Sequence, residues 1–336
     1  MKASVHVGSG RLELREWPEP RAGAGELIVR LRGCGLCGSD LAKLARGAAA
    51  APAVLGHELV GEVAAVGPGV GRFAEGDRVV VAHHVPCFAC HYCRRGSPSM
   101  CREFKRVNLD PGGFAELVRV PAPNVAHATF AIGATMSDET ASFTEPLACC
   151  LRAVKRTGAR AGDTVVVVGL GSIGCLLAQG FCLAGARVLG ADLLAARRRL
   201  AAGLGVEVFE DDAALDGVLR EATGGRGADV VMLTAGAATA VAAAAARVRD
   251  GGHVHCFAGG AGDLLPLALD TLYHRELTLS ATYSSSPTEL AEAFAHLVSG
   301  RVMVDGLITH RLPLARLEEG VALMRRQEAV KVYVTP

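Results

Sequence analysis

Two rhythms of apolar and polar residues divide the chain near residue 150. Before that point, short stretches of β character ("ELIVRLRGCG", "ELVGEVAAVGPGV", "GDRVVVAHH", "GGFAELVRVPAP") are punctuated by Gly-Asp, Pro-Gly and Gly-Gly. Such spacing predicts an irregular, mainly β domain. After it, near-continuous apolar runs alternate with Ala-rich helical segments: "TVVVVG" (164–169), "ARVLGAD" (186–192), "VEVF" (206–209), "ADVVMLT" (228–234), "GGHVHCF" (251–257) and "LTLSATY" (277–283). Strands that are apolar on both faces and separated by helices predict an α/β domain with a doubly wound parallel sheet. The segment "ATAVAAAAARVRD" (238–250) reads as a helix capped by Gly251. From "PTELAEAFAHLVSG" onward the pattern is helix, strand, helix and a final strand "KVYV".

At 336 residues the chain exceeds one ordinary core, which agrees with two domains. Half the residues are hydrophobic and only 4% aromatic, so the packing rests on small side chains and disorder is excluded. Net charge is +1, and Arg197-Arg198-Arg199 is the longest basic run, which argues against a nucleic-acid partner. The first residues carry no apolar stretch of signal-peptide length, and no window approaches the ~18 unbroken apolar residues of a membrane span. The expectation is a cytoplasmic protein without membrane contact, its thiols reduced.

In that setting "PCFACHYCRRGSPSMC" (86–101) changes the picture. Cys87, Cys90, Cys93 and Cys101 fall in fifteen residues of a Pro- and Gly-rich loop, within an odd total of eleven cysteines. Four thiolates so close in a reducing compartment predict a closed, structural zinc site rather than two disulfides. Phe88, Tyr92 and Met100 are expected to pack around this lobe, and His91 to be a bystander. The remaining cysteines (Cys34, Cys149, Cys150, Cys175, Cys182, Cys256) read as packing residues.

Residues 169–174 read Gly-Leu-Gly-Ser-Ile-Gly, directly after a strand and opening a helix. Gly169 makes the tight turn and Gly171 admits backbone N–H groups to a pyrophosphate. Ser172 and Ile173 begin the helix, and Gly174 lets it pack on the strand. Asp192, at the end of the next strand, is placed to accept hydrogen bonds from ribose hydroxyls and to repel a 2′-phosphate, which favours NAD over NADP. Arg197, five residues on, could soften that preference by reaching a phosphate.

A second theme runs through three separated pieces. "GLCGSD" offers Cys37 and Ser39, "LGHELVGEV" offers His57 and Glu58, and "FTEPLACC" offers Glu145. A thiolate, an imidazole and a carboxylate make a three-ligand zinc set with a fourth position open, a means of oxidising alcohols beside a nicotinamide.

On "GHELVGEVAAVGPGV" with "GDRV" (76–79), the four-cysteine lobe, "EPLA" (145–148) and "GLGSIG", the chain resembles the zinc-dependent medium-chain alcohol dehydrogenases, in the branch of sorbitol (polyol) and threonine dehydrogenases. The resemblance spans the whole length. It implies a GroES-like, β-rich catalytic domain (1–148) with its structural zinc lobe at about 86–102, and a Rossmann NAD-binding domain (149–284). A C-terminal segment (285–336) returns to the catalytic domain, the active site lies in the cleft between domains, and the protein is a homodimer or homotetramer. Cys37 and His57 match the catalytic zinc ligands. Glu145 falls where some members carry a third ligand, while in polyol dehydrogenases the residue matching Glu58 binds the metal and Glu145 acts through water. Both glutamates are therefore candidates. Ser39 matches the hydroxyl that receives the substrate proton, Asp40 supports the fold, and Lys331 lies near a basic position that meets the cofactor pyrophosphate.

Two departures stand out. Ala42 replaces a histidine that usually ends the proton relay, and "TYSSSP" (282–287) lacks an arginine that helps animal enzymes bind polyol hydroxyls. The expected activity is NAD-dependent oxidation of a secondary alcohol of a polyol or sugar derivative. L-threonine 3-dehydrogenase is the alternative, and it needs a group for the substrate carboxylate. A non-catalytic redox sensor would have shed its metal ligands, yet all four candidates are present.

Overall fold

The computed structural model describes residues 1–46, 51–210, 212–234, 238–259 and 265–336. The chain divides into two compact units, one formed by Met1–Ala148 with Ser285–Pro336, the other by Cys149–Ser284. The boundary at Ala148 falls inside the helix Thr144–Thr157. Among the described residues, no helix is long and apolar enough to cross a membrane.

The first unit is built on a sheet whose strands run in the order His310–Pro313, Val332–Thr335, Leu27–Leu36, Glu58–Val66, Arg78–Ala82 and Thr129–Ala131, with Leu117–Val120 also paired to Leu27–Leu36. A smaller sheet joins Arg11–Glu16, Lys2–Gly8 and Ala53–Val54. Alternating burial along these strands packs Val29, Leu31, Leu59, Val63, Val79, Phe114 and Val118 into one core. The antiparallel register sets Glu58 opposite both Gly35 and Ala82. This lays the ends of three strands side by side, and the chemistry gathers there.

The second unit is a six-stranded, wholly parallel sheet in the order Glu207–Phe209, Arg187–Ala191, Thr164–Val168, Ala228–Leu233, Val248–Cys256, Thr278–Ala281. Counted along the chain this is 3-2-1-4-5-6, with the order reversing at the first strand, the position where doubly wound sheets bind dinucleotides. Val165, Val166, Val167, Leu189, Val231 and Met232 have essentially no exposed surface, as strands covered on both faces require. One boundary differs from the sequence expectation. Gly251 does not cap the preceding helix, which ends at Arg247. It lies inside the strand Val248–Cys256 at φ +66°, beside a register shift against Ala228–Leu233. The backbone bulges there, and its Gly251 N–H donates to Arg275 O at 2.8 Å.

Candidate active site and metal centre

The ends of the strands Leu27–Leu36 and Glu58–Val66 bring Cys37, His57 and Glu58 together, with one ligand atom from each lying within 4.8 Å of the others. His57 and Glu58 are buried and Cys37 is half-buried. Cys37 precedes the helix Gly38–Arg46, whose first turn returns Asp40 to accept the Cys37 N–H at 3.1 Å. Asp40 is wholly buried, and its other oxygen faces His57 Nδ1 at 3.4 Å. His57 Nε2 is left on the side of Ser39, whose Oγ is 3.5 Å away. This is how a ligating histidine is oriented: one ring nitrogen held by a carboxylate, the other free for a metal. Burial works against a charged His57, but the Asp40 carboxylate outweighs it and holds the pKa well above the ordinary value. The same field favours a metal cation in place of that proton.

Glu58 is fixed from behind. Lys331 Nζ, itself buried, lies 2.7 Å from Oε1, to which it donates, and 2.5 Å from Oε2, to which it is ion-paired outside hydrogen-bond geometry. Gly35 makes room for the pair, since a Cβ there would sit 1.8 Å from Glu58 Oε2. A thiolate, an imidazole and a carboxylate whose ligand atoms lie within 4.8 Å of one another fit a zinc ion with one position to spare. Lys331 is buried rather than exposed on its strand, and it is the counter-ion of Glu58. Glu145 is buried in the first turn of the helix Thr144–Thr157 and stands outside the three-residue group, so of the two candidate glutamates only Glu58 joins Cys37 and His57.

Cys87, Cys90, Cys93 and Cys101 form a second group within 4.8 Å, with Cys90 Sγ 3.5 Å from Cys93 Sγ. A tetrahedral shell of zinc–sulfur bonds near 2.3 Å has edges of about 3.8 Å. The short helix His91–Arg94 and the helix Arg102–Arg106 turn the loop around this point. Burial raises the Cys101 thiol, but backbone N–H groups of Cys87 and Phe104 prevail and bring it down to about 6; Cys93 is pushed up to about 12, chiefly by burial. Four thiols at this spacing do not ionise together without a cation, so the donor set fits a closed zinc. Phe88, Tyr92 and Met100 do not pack around the lobe as expected; they are exposed at 50%, 51% and 39%. All eleven cysteines are free. Cys34, Cys150 and Cys175 are buried packing residues as expected, whereas Cys182 is exposed.

In the second unit Gly169 takes φ +90° and donates its N–H to Ala191 O at 2.8 Å, tying the first strand's turn to the second strand. A Cβ on Gly174 would meet Gly169 O at 1.9 Å, whereas one on Gly171 would meet nothing within 4 Å. Gly171 caps the helix Ser172–Leu183, so the open space lies where Ser172, Ile173 and Gly174 present the first N–H groups of a helix. A helix start with this open space is able to receive a pyrophosphate. The Asp192 carboxylate lies against the turn, accepting from Leu170 N at 2.7 Å and Leu194 N at 2.8 Å, with Arg197 Nη1 at 3.6 Å. Each oxygen keeps a lone pair for a ribose hydroxyl.

Sequence reasoning missed two histidines. His83 and His84 follow the strand Arg78–Ala82, and the His83 ring lies 4.6 Å from that of His57. "AHH" is visible in the sequence, but the register that sets it against His57 is not.

A β-rich unit with an open thiolate–imidazole–carboxylate site, joined in one chain to a dinucleotide-binding sheet, defines a zinc-dependent dehydrogenase. Comparison with known proteins agrees. Residues 23–129 match the alcohol dehydrogenase GroES-like domain, and residues 159–299 the zinc-binding dehydrogenase domain. The chain is 30% identical to a sorbitol dehydrogenase of Halalkalibacterium halodurans, covering 100% of this chain and 99% of that one. It is 32% identical to an L-threonine 3-dehydrogenase of Chelativorans sp., covering 94% and 93%. A zinc-binding dehydrogenase structure from Sinorhizobium meliloti bound to NADP superposes with a TM-score of 0.88 at 30% identity, covering 100% and 99%. The chain belongs to the zinc-type medium-chain alcohol dehydrogenase family. It is an oxidoreductase that passes hydride between a nicotinamide cofactor and a secondary alcohol.

Proposed function

We propose that the chain oxidises a secondary alcohol of a polyol or sugar derivative with NAD. One zinc is held by Cys37, His57 and Glu58, and a second, closed zinc by Cys87, Cys90, Cys93 and Cys101. The convergence of Cys37, His57 and Glu58 on a half-buried rim carries this reading. Zinc bound there would supply Lewis acidity to a substrate hydroxyl, and a bound nicotinamide would supply the hydride acceptor. Asp40 orients the His57 ring, and Lys331 holds the Glu58 charge in place. Exposed Ser39, beside His57 Nε2, takes the alcohol's proton. Ala42 cannot carry the proton further, so the proton leaves Ser39 by a route other than a side chain at that position.

The Asp192 charge beside the glycine turn supports NAD over NADP, tempered by Arg197 at 3.6 Å. Eleven free thiols support a reducing, cytoplasmic location. The strand Thr278–Ala281 ends its sheet, and exposed Leu269 and Tyr273 precede it in the chain, which supports a homodimer or homotetramer.

The test is initial rates with NAD and NADP across polyols, sugar alcohols, cyclitols and L-threonine, alongside metal analysis. Two zinc ions per chain, a polyol as best substrate and NAD as better cofactor are expected. Cys37→Ala should abolish turnover while keeping NAD binding. A Cys37→Ala protein that works at the unmutated rate would end the proposal.

A further inference from the structure

Between the four-cysteine lobe and the open site runs an unbroken line of ring contacts that neither site needs for its own ligands. Cys101 directly precedes the helix Arg102–Arg106, which carries Phe104. The Phe104 ring, 1% exposed, lies 4.8 Å from the His84 ring. His84 is fixed by its Nδ1 to Val107 O at 3.0 Å and lies 3.7 Å from the ring of His83. His83 lies 4.6 Å from His57. The register accounts for the last contact: Glu58 pairs with Ala82, so the residues just outside that pair, His57 and His83, face each other.

His83 itself is buried, and its Nδ1 has no hydrogen-bond partner. A buried polar atom left unpaired costs free energy, so the position of this ring calls for an explanation. Here the ring is wedged between His84 and His57. Asp40 Oδ1 lies 3.4 Å from His57 Nδ1, and the tilted His83 ring packs against the His57 ring at 4.6 Å. A ligating imidazole must keep its plane as well as its nitrogen direction, and supporting contacts around metal ligands typically change metal affinity 10–100-fold.

We propose that His83 is a positioning residue for His57. Through the run Cys101–Phe104–His84–His83–His57, occupation of the four-cysteine lobe then sets the metal affinity of the Cys37–His57–Glu58 site. The inference rests on the two-metal reading above. It gives the four-cysteine lobe a part in metal binding at the Cys37–His57–Glu58 site.

The experiment uses the full-length protein with cobalt(II) loaded in place of zinc, reading affinity and the visible spectrum of the Cys37-dependent cobalt. The Cys37→Ser variant identifies that signal. His83→Ala and Phe104→Ala should each weaken cobalt at this site by about 10-fold or more and alter its spectrum, with the four-thiolate cobalt spectrum unchanged in His83→Ala. His83→Phe keeps a ring in the wedge and should restore affinity to within about threefold of the unmutated value. Emptying the lobe through Cys90→Ser should reproduce the weakening. Unmutated affinity and spectrum in His83→Ala would overturn this inference alone, as would failure of His83→Phe to restore them. No Cys37-dependent cobalt in the unmutated protein would overturn the metal reading along with it.

Discussion

Lys331 Nζ and the Glu58 carboxylate meet where both side chains are withdrawn from water. Burial alone would lower the lysine's pKa, but Glu58 and then Cys37 outweigh it and raise the net value, so the cation persists through neutral pH. Removing one partner of such a pair leaves an uncompensated buried charge, at a cost of about 3–5 kcal/mol. Lys331→Met should show that loss in urea unfolding, and Glu58→Gln added to it should recover most of it. A cost under about 1 kcal/mol would mean that Glu58 finds another partner. His255 behaves in the opposite sense. It is fully buried, accepting or donating between Ser280 Oγ at 2.8 Å and Thr282 Oγ1 at 3.1 Å, and burial, then His253 and Arg156, press its pKa down to about 4. An unfolded histidine titrates near 6.5. Protons therefore bind the unfolded chain first, so the stability present above about pH 6.5 drains away as pH falls toward 4. At pH 5 the loss is roughly 2 kcal/mol at about 1.4 kcal/mol per unit. His255→Gln should flatten the melting temperature between pH 6.5 and 5 relative to the unmutated protein; parallel curves would clear His255 of the effect.

Two glycines of one turn separate folding from binding at the scale of the element. An alanine at Gly174 drives its Cβ to 1.9 Å from Gly169 O, so Gly174→Ala should disturb the contact of helix Ser172–Leu183 with the strand before it and cost several-fold more stability than Gly171→Ala. Gly171→Ala meets nothing within 4 Å and should fold normally, yet bind NAD at least ~10-fold more weakly, because the methyl fills the phosphate cradle. Calorimetric titration and thermal melts of the two variants check this. Equal NAD affinity in Gly171→Ala would place the pyrophosphate elsewhere. This turn was legible in the sequence because its glycines, its helix start and Asp192 all lie within one strand–helix–strand unit. The four-cysteine lobe was legible for the same reason. What stayed hidden depends on pairings between distant segments. Lys331 and Glu58 are 273 positions apart. His83 meets His57 only through a strand register, and Gly251 sits in a bulge instead of a helix cap. Local spacing carries none of that information.

Across the whole molecule, each ligand should act first on the unit that contains its site. The first unit closes on itself through strands from both ends of the chain, since Val332–Thr335 pairs antiparallel with Leu27–Leu36. Cys37, His57 and the four-cysteine lobe lie on connections of that sheet, and Glu58 opens one of its strands. The second unit is one continuous stretch, Cys149–Ser284, with its own core around Val166, Leu189, Val231 and Val254. A ligand that binds only the folded form at 100 times its dissociation constant stabilises that form by about 2.7 kcal/mol, equal to about 100-fold slower exchange for amides released by opening of the same unit. NAD should therefore slow hydrogen exchange most in Thr164–Val168, Arg187–Ala191 and Ala228–Leu233. Chelation of zinc should instead speed exchange in the segment from His83 to Phe104 and around His57. Peptide-resolved hydrogen exchange with NAD added, with zinc removed and with both changes reads the two effects separately. Protection by NAD confined to the first unit would mean that the glycine turn does not hold the cofactor. Unchanged exchange from His83 to Phe104 after complete zinc removal would mean that the cysteine lobe folds without its ion, and the structural role given to that metal would fall.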